Sequence, residues 1–145
     1  MNLNEPIILL AEDDENDVFF MQRGLQKAGV QLPLHVVTDG REATEYLAGT
    51  KKFADRAQFP LPSLMLLDLK MPFANGFEVL TWIQSQPALK ELPIVVLTSS
   101  AEERDRKRAA ELGAKGYFVK PPTRETVLEM MQFLNTRNEN APVLV

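Results

Sequence analysis

The chain has no cysteine among its 145 residues, which excludes both a disulfide framework and a thiolate zinc site. It has a single histidine. With no partner motif, His35 supports neither a histidine metal site nor a nucleophile-base arrangement, and it is expected as a half-exposed strand residue. No apolar run approaches the roughly 20 residues a membrane-spanning helix needs. The N-terminus lacks the basic-then-apolar order of a secretory signal. No membrane segment is therefore expected, and the cytoplasm is the default location. Basic residues are outnumbered, 16 to 20, for a net charge of −4, so there is no broad basic field for a phosphate backbone and no nucleic-acid partner is expected.

What is present fits one globular domain: 45% hydrophobic and 25% charged residues, in a length that allows one full core but not two. Short apolar runs at 6–11, 34–37, 64–67, 93–97 and 117–119 read as strands buried on both faces. Between them, helical spacing places Val18, Met21, Leu25 and Ala28 on one face, then Ala43, Tyr46 and Leu47, then Phe77, Leu80 and Ile83. Helices are expected over 16–27, from the Asp39-Gly40 turn to near Gly49, from Phe77 towards Pro87, over 101–112, and after Thr123 with Val127, Met130, Met131 and Leu134 inward. The fourth has almost no apolar stripe in its first half and should be weakly anchored. Residues 50–62 show no periodicity and contain Pro60 and Pro62, so a long surface loop is expected. Regular strand-helix alternation argues an α/β fold with a parallel sheet covered on both faces.

The strand ends carry the chemistry. The first runs into Glu12-Asp13-Asp14, the third ends on Asp68, the fourth on Thr98-Ser99-Ser100 and the fifth on Lys120. A carboxylate after four apolar residues is costly unless it lies at the strand's mouth, and in a parallel sheet all these mouths share one edge, where ligands bind. Clustered carboxylates favour a hard divalent cation with oxygen ligands, magnesium first, with Asp13 and Asp68 as direct ligands and Glu12 acting through water. An acceptor carboxylate, a hydroxyl and a lysine suit phosphoryl transfer to Asp68, with Thr98 and Lys120 on the phosphoryl oxygens. Blander roles exist for each: Glu12, Asp13 and Asp14 as acids at a helix N-terminus, Thr98 as a strand former, Tyr117 as packing.

Four segments, Leu10-Ala11-Glu12-Asp13-Asp14, Leu67-Asp68-Leu69-Lys70-Met71-Pro72, Leu97-Thr98-Ser99-Ser100 and Gly116-Tyr117-Phe118-Val119-Lys120-Pro121, together resemble the response-regulator receiver domains of two-component signalling. The resemblance implies a flavodoxin-like, doubly wound (βα)5 sheet in strand order 2-1-3-4-5, with a receiver domain over 1–134 and a tail over 135–145. It implies phosphorylation of Asp68 by a sensor histidine kinase or phosphotransfer protein. Mg2+ would be held by Glu12, Asp13, Asp68 and the Lys70 backbone carbonyl, and the Lys120-Pro121 bond would be cis. In the switch it implies, Thr98 moves toward the phosphoryl group, Tyr117 changes rotamer, and the face of the fourth helix, fifth strand and fifth helix changes its partner preference. Such a protein catalyses only its own phosphorylation and dephosphorylation. The long loop and the tail are similar to those of stand-alone receivers paired with phytochrome-type kinases, and no output domain fits after residue 134. Leu128, Phe133 and Val143-Leu144-Val145 fall outside the main stripes and suggest a homodimer or a folded-back tail.

Two rival classes are disfavoured by the same residues. An aspartyl-phosphate phosphatase would want an acid where Lys70 stands, and a nucleotide- or flavin-binding domain would want a glycine-rich loop where Glu12-Asp13-Asp14 stands.

Overall fold

Each apolar run forms one strand of a single parallel sheet: β1 (Ile8–Ala11), β2 (Leu34–Val37), β3 (Leu64–Leu67), β4 (Ile94–Thr98) and β5 (Gly116–Val119). The computed structural model describes residues 6–134. The tail over 135–145, with its apolar Val143-Leu144-Val145, lies outside the described residues. The strand order is β2-β1-β3-β4-β5, all neighbours parallel, as the resemblance implies. The chain enters at β1, adds β2 on one side, then crosses to β3 and proceeds the other way. The reversal opens a crevice at the carboxyl ends of β1 and β3, where Asp13 and Asp68 emerge.

Alternation along the strands builds two cores. Leu9, Ala11, Met65, Leu67, Ile94 and Val96 face one side with α2 (Gly40–Ala48) and α3 (Gly76–Gln84). Ile8, Leu10, Leu64, Leu66, Val95 and Leu97 face the other with α1 (Glu15–Lys27) and α5 (Arg124–Met131). Burying each large aliphatic side chain contributes about 1.5–3 kcal/mol, so the central strands supply most of the driving force. Helix starts follow local chemistry. Asp14, Asp39, Asn75 and Thr123 cap α1, α2, α3 and α5 through their side chains, each worth about 1 kcal/mol. In contrast, α4 (Glu103–Glu111) has no side-chain cap, and Ala109 is its one buried residue.

Most boundaries fall within two residues of the sequence expectation. The first strand begins at Ile8 rather than residue 6, the fourth extends to Thr98, and α4 starts at Glu103 rather than 101, because residues 101 and 102 remain extended or irregular before it. Two readings need correction. Residues 50–62 are not merely a surface loop: a 3-10 turn at Lys51–Phe53 buries Phe53, which packs with Phe59, Tyr46 and His35 in an aromatic cluster. Arg56 clamps that corner, donating to the carbonyl oxygens of Tyr46, Leu47 and Phe59 at 2.8, 2.7 and 3.1 Å, and so satisfies acceptors left open at the end of α2. His35 is the partly exposed strand residue expected, and its Nδ1 lies 2.8 Å from the Tyr46 hydroxyl. That hydroxyl donates to Pro60 O, so Nδ1 must carry the proton shared with it. Phe133, read as outside the main stripe, packs against the second core, while Leu128 is exposed.

Burial pushes the Tyr46 phenol up from 10.0 to about 12, with the nearby Arg56 charge opposing. The folded protein thus holds this proton more tightly than the unfolded chain. Its contribution to stability is complete below pH 10.0 and is lost as pH rises through about 12. The urea midpoint is expected to fall across that window, and to fall less steeply in Tyr46→Phe; equal slopes would remove Tyr46 as the cause.

Candidate functional site

Backbone pairing continues past the strands and fixes the site residues. The Glu12 amide donates to Val37 O at 2.9 Å, and the Asp68 amide to Ala11 O at 3.1 Å, so both carboxylates leave the sheet at one level. The Lys120 amide donates to Thr98 O at 2.8 Å, which aligns the ends of β4 and β5. Behind Asp68 the chain must turn tightly into α3. A Cβ on Gly76 would lie 2.5 Å from the Asp68 carbonyl oxygen, so the start of that helix seats against the Asp68 backbone only with glycine. The peptide bond between Lys120 and Pro121 is cis.

These constraints deliver a lysine into a nest of acids. The Lys120 ammonium lies 2.6 Å from Glu12 Oε1, 2.8 Å from Asp17 Oδ2 and 3.2 Å from Asp68 Oδ2. It is 12% exposed and Glu12 2%, so this is a buried network, in which removing either sign leaves the other uncompensated. Burial alone would pull the ammonium down; hydrogen bonds to Asp17 and Glu12, with the charge of Asp68, outweigh it and hold Lys120 above the ordinary lysine range. For Glu12, burial pushes the carboxyl upward, opposed by the hydrogen bond from Lys120 and reinforced by the Asp68 charge.

Carboxylate oxygens of Glu12, Asp13 and Asp68 all lie within 4.8 Å of one another. Lys120 is the one base paired to Glu12, Asp17 and Asp68 among the described residues, and Asp13 remains exposed beside them. Negative charge is in excess, and hard oxygen donors converge, so the donor set fits a divalent cation. Outside this knot a cleft of about 550 Å³ opens, lined by Asp13, Lys70, Met71, Asn75 and Asp105. Asp68 Oδ2 is taken up by Lys120, while Oδ1 stands 3.4 Å from the Lys70 amide.

Thr98 is fully buried at the end of β4, and its Oγ1 has no hydrogen-bond partner in the resting structure. Tyr117 is half-buried, donates its hydroxyl to Ser100 O at 2.9 Å, and lies under the Arg106 guanidinium at 4.6 Å. Burial raises its phenol, and the neighbouring Asp105 charge adds to that while the Ser100 hydrogen bond and Arg106 oppose it. Sequence reasoning missed two participants. Asp17 reads as one more acid in a helix's first turn; the signal that could have found it is that a buried lysine needs more than one counter-charge. Asp105, inside a run of charges, is bonded by Ser100 Oγ at 2.6 Å and faces the cleft.

A doubly wound sheet with an acidic knot and a lysine at its switch point defines a class: small α/β domains that bind a cation and an anionic group at one edge. The family model for the response regulator receiver domain matches residues 8–132, and the chain belongs to that family. It is a response regulator of two-component signalling, whose members take phosphoryl groups from histidine kinases or phosphotransfer proteins. The response regulator Rcp1 of Synechocystis sp. is 34% identical over 126 residues, covering 87% of this chain and 84% of Rcp1. The bacteriophytochrome response regulator AtBRR is 36% identical with a TM-score of 0.79, over 89% of this chain and 91% of that one. The Mn(2+)-bound form of Rcp1 superposes with a TM-score of 0.73 at 31% identity, over 97% and 99% of the two chains.

A buried hydroxyl without a partner costs about 1–3 kcal/mol. Thr98→Val, which keeps the shape and removes the polar atom, is therefore expected to stabilise the unphosphorylated protein by about 1 kcal/mol, read as a higher thermal midpoint. A lower midpoint would mean the hydroxyl is satisfied at rest.

Proposed function

We propose that Asp68 is the phosphoacceptor and that Glu12, Asp13, Asp68 and the Lys70 backbone carbonyl hold Mg2+ during transfer. The observation that carries this reading is the convergence of Glu12, Asp13, Asp68 and Lys120 at one strand edge. Asp68 Oδ1, the oxygen away from Lys120, attacks phosphorus. The O–P bond forms as the N–P bond of a phosphohistidine breaks, and its electron pair returns to the imidazole nitrogen. Lys120 offsets charge on a phosphoryl oxygen from one side. Bound Mg2+ supplies the complementary charge from the acidic side. The unpartnered Thr98 hydroxyl finds its acceptor in the new phosphoryl oxygen, which draws the end of β4 toward the site. Ser100, two residues on, holds Tyr117, so the movement reaches the face of α4, β5 and α5 and changes which partner docks there.

The donor is a sensor histidine kinase or a phosphotransfer protein, and the similarity to phytochrome response regulators favours a phytochrome-type kinase in the cytoplasm. We take residues 1–134 as the receiver unit. The protein acts on its own phosphorylation state and on no other substrate.

Incubation with acetyl phosphate and Mg2+ should add one acid-labile phosphoryl group by intact mass, and Asp68→Asn should add none. An equally labile adduct on the variant would sink the assignment. Chelation with EDTA, or Asp13→Asn, is expected to slow that gain at least about tenfold, measured as the initial rate of mass change. A rate unmoved by both would remove the acidic cluster from the cation site.

A further inference from the structure

The helix that must respond to phosphorylation is tied down at one hydroxyl. Its one buried residue is Ala109, no side chain caps it at Glu102, and its other ties are guanidinium groups, Arg108 over the Phe77 ring at 4.2 Å and Arg106 over the Tyr117 ring at 4.6 Å with a long bond to Tyr117 O at 3.4 Å. Ser100 does the work a cap would do. Its Oγ accepts the Glu102 amide at 3.3 Å and donates to Asp105 Oδ2 at 2.6 Å. Its carbonyl takes the Tyr117 hydroxyl at 2.9 Å. One residue therefore joins the end of β4, the first turn of α4 and the strand β5.

Asp105 has a second exposure that matters. It lines the same cleft as Asp13, Leu69 and Lys70, the residues next to the acidic knot and just after Asp68 in the chain, and it has no ion-pair partner among the described residues. A carboxylate in that position feels any charge that enters the cleft, more strongly than an open-surface acid would, because fewer waters screen it.

We propose that Asp105 and Ser100 form a charge-operated latch: a phosphoryl group on Asp68 repels the Asp105 carboxylate, opens its bond to Ser100 and releases the first turn of α4. The latch rests on Asp68 being the acceptor. Asp105 is a positioning residue and takes no part in the transfer itself. At rest it holds the Ser100 hydroxyl, and Ser100 in turn holds the Glu102 amide and the Tyr117 hydroxyl. Relative to the Mg2+-loaded protein, phosphorylation adds negative charge at Asp68, and the Asp105 side chain then gains by turning outward to water. Ser100 then loses its acceptor while the movement of Thr98 pulls it from the strand side. The two displacements act on the same residue in the same event, which links a change of charge at Asp68 to a change of order in a helix that does not touch it.

The test is amide hydrogen exchange of the full chain in Mg2+ throughout, with and without acetyl phosphate, with intact mass read in the same samples. In the native sequence, phosphoryl gain should be accompanied by exchange about tenfold faster in the first turns of α4. Asp105→Asn keeps an oxygen for Ser100 and removes the charge; it should gain the phosphoryl group while the rise in α4 exchange shrinks below about threefold. Ser100→Ala should show the faster exchange before any phosphodonor is added. If all three proteins gain the group and show the same rise, the latch is overturned and the acceptor reading stands. If the native sequence gains no phosphoryl group, both are overturned.

Discussion

The buried ammonium of Lys120 is the contact on which this site depends. Three carboxylates meet it, from the end of β1, the first turn of α1 and the end of β3. Glu12 and Asp68, the two that are buried, depend on it most, since each would otherwise carry an unpaired charge into low dielectric, while Asp17 reaches in from a partly exposed position. The lysine also needs them, which makes the arrangement mutual: β5 is held in register with β4 partly so that its last side chain can reach across β4 and β3 to β1. The structural cation is also the residue proposed to meet the phosphoryl group, and that restricts how the site can vary. Changing Lys120 alters the resting packing of four elements as well as whatever charge arrives in the cleft.

Much of this was legible from residue order alone. A parallel sheet places all its strand ends on one edge, so acids after two apolar runs, a hydroxyl after a third and a lysine after a fourth could be brought together without any distance being known. Strand runs such as Leu64 to Leu67 are short, fully apolar and bounded by turn residues, and they left little choice of structure. What the sequence hid follows from the same logic. Asp17 and Asp105 sit on helices among other charged residues, where spacing cannot tell a solvated acid from one turned inward. Phe53 and Phe59 anchor the region after α2 with an irregular gap between them, and a single arginine, Arg56, satisfies backbone carbonyls that no periodicity announces.

The Thr98 hydroxyl illustrates how stability and responsiveness are traded within the fold. Its neighbours on β4 are all buried aliphatics, and a valine there would suit the core better. Keeping a polar atom in a place that offers it nothing leaves the resting state slightly discontented, with a defined direction in which it can improve. The residues proposed to respond gather around that atom: Ser100 is two positions on in the chain, and it bonds the Tyr117 hydroxyl and the Glu102 amide that leads into α4.

The clamp of Arg56 on the end of α2 has a counterpart in the loosely held α4, which shares the same core face towards the opposite edge of the sheet. One flank is stapled by an aromatic cluster and a guanidinium fork, whereas the other rests on an alanine, two rings and a hydroxyl. A disturbance at the centre of the sheet therefore does not spread evenly. It meets a stiff wall in one direction and a compliant one in the other, so the fold itself gives a push from the strand ends a preferred outlet.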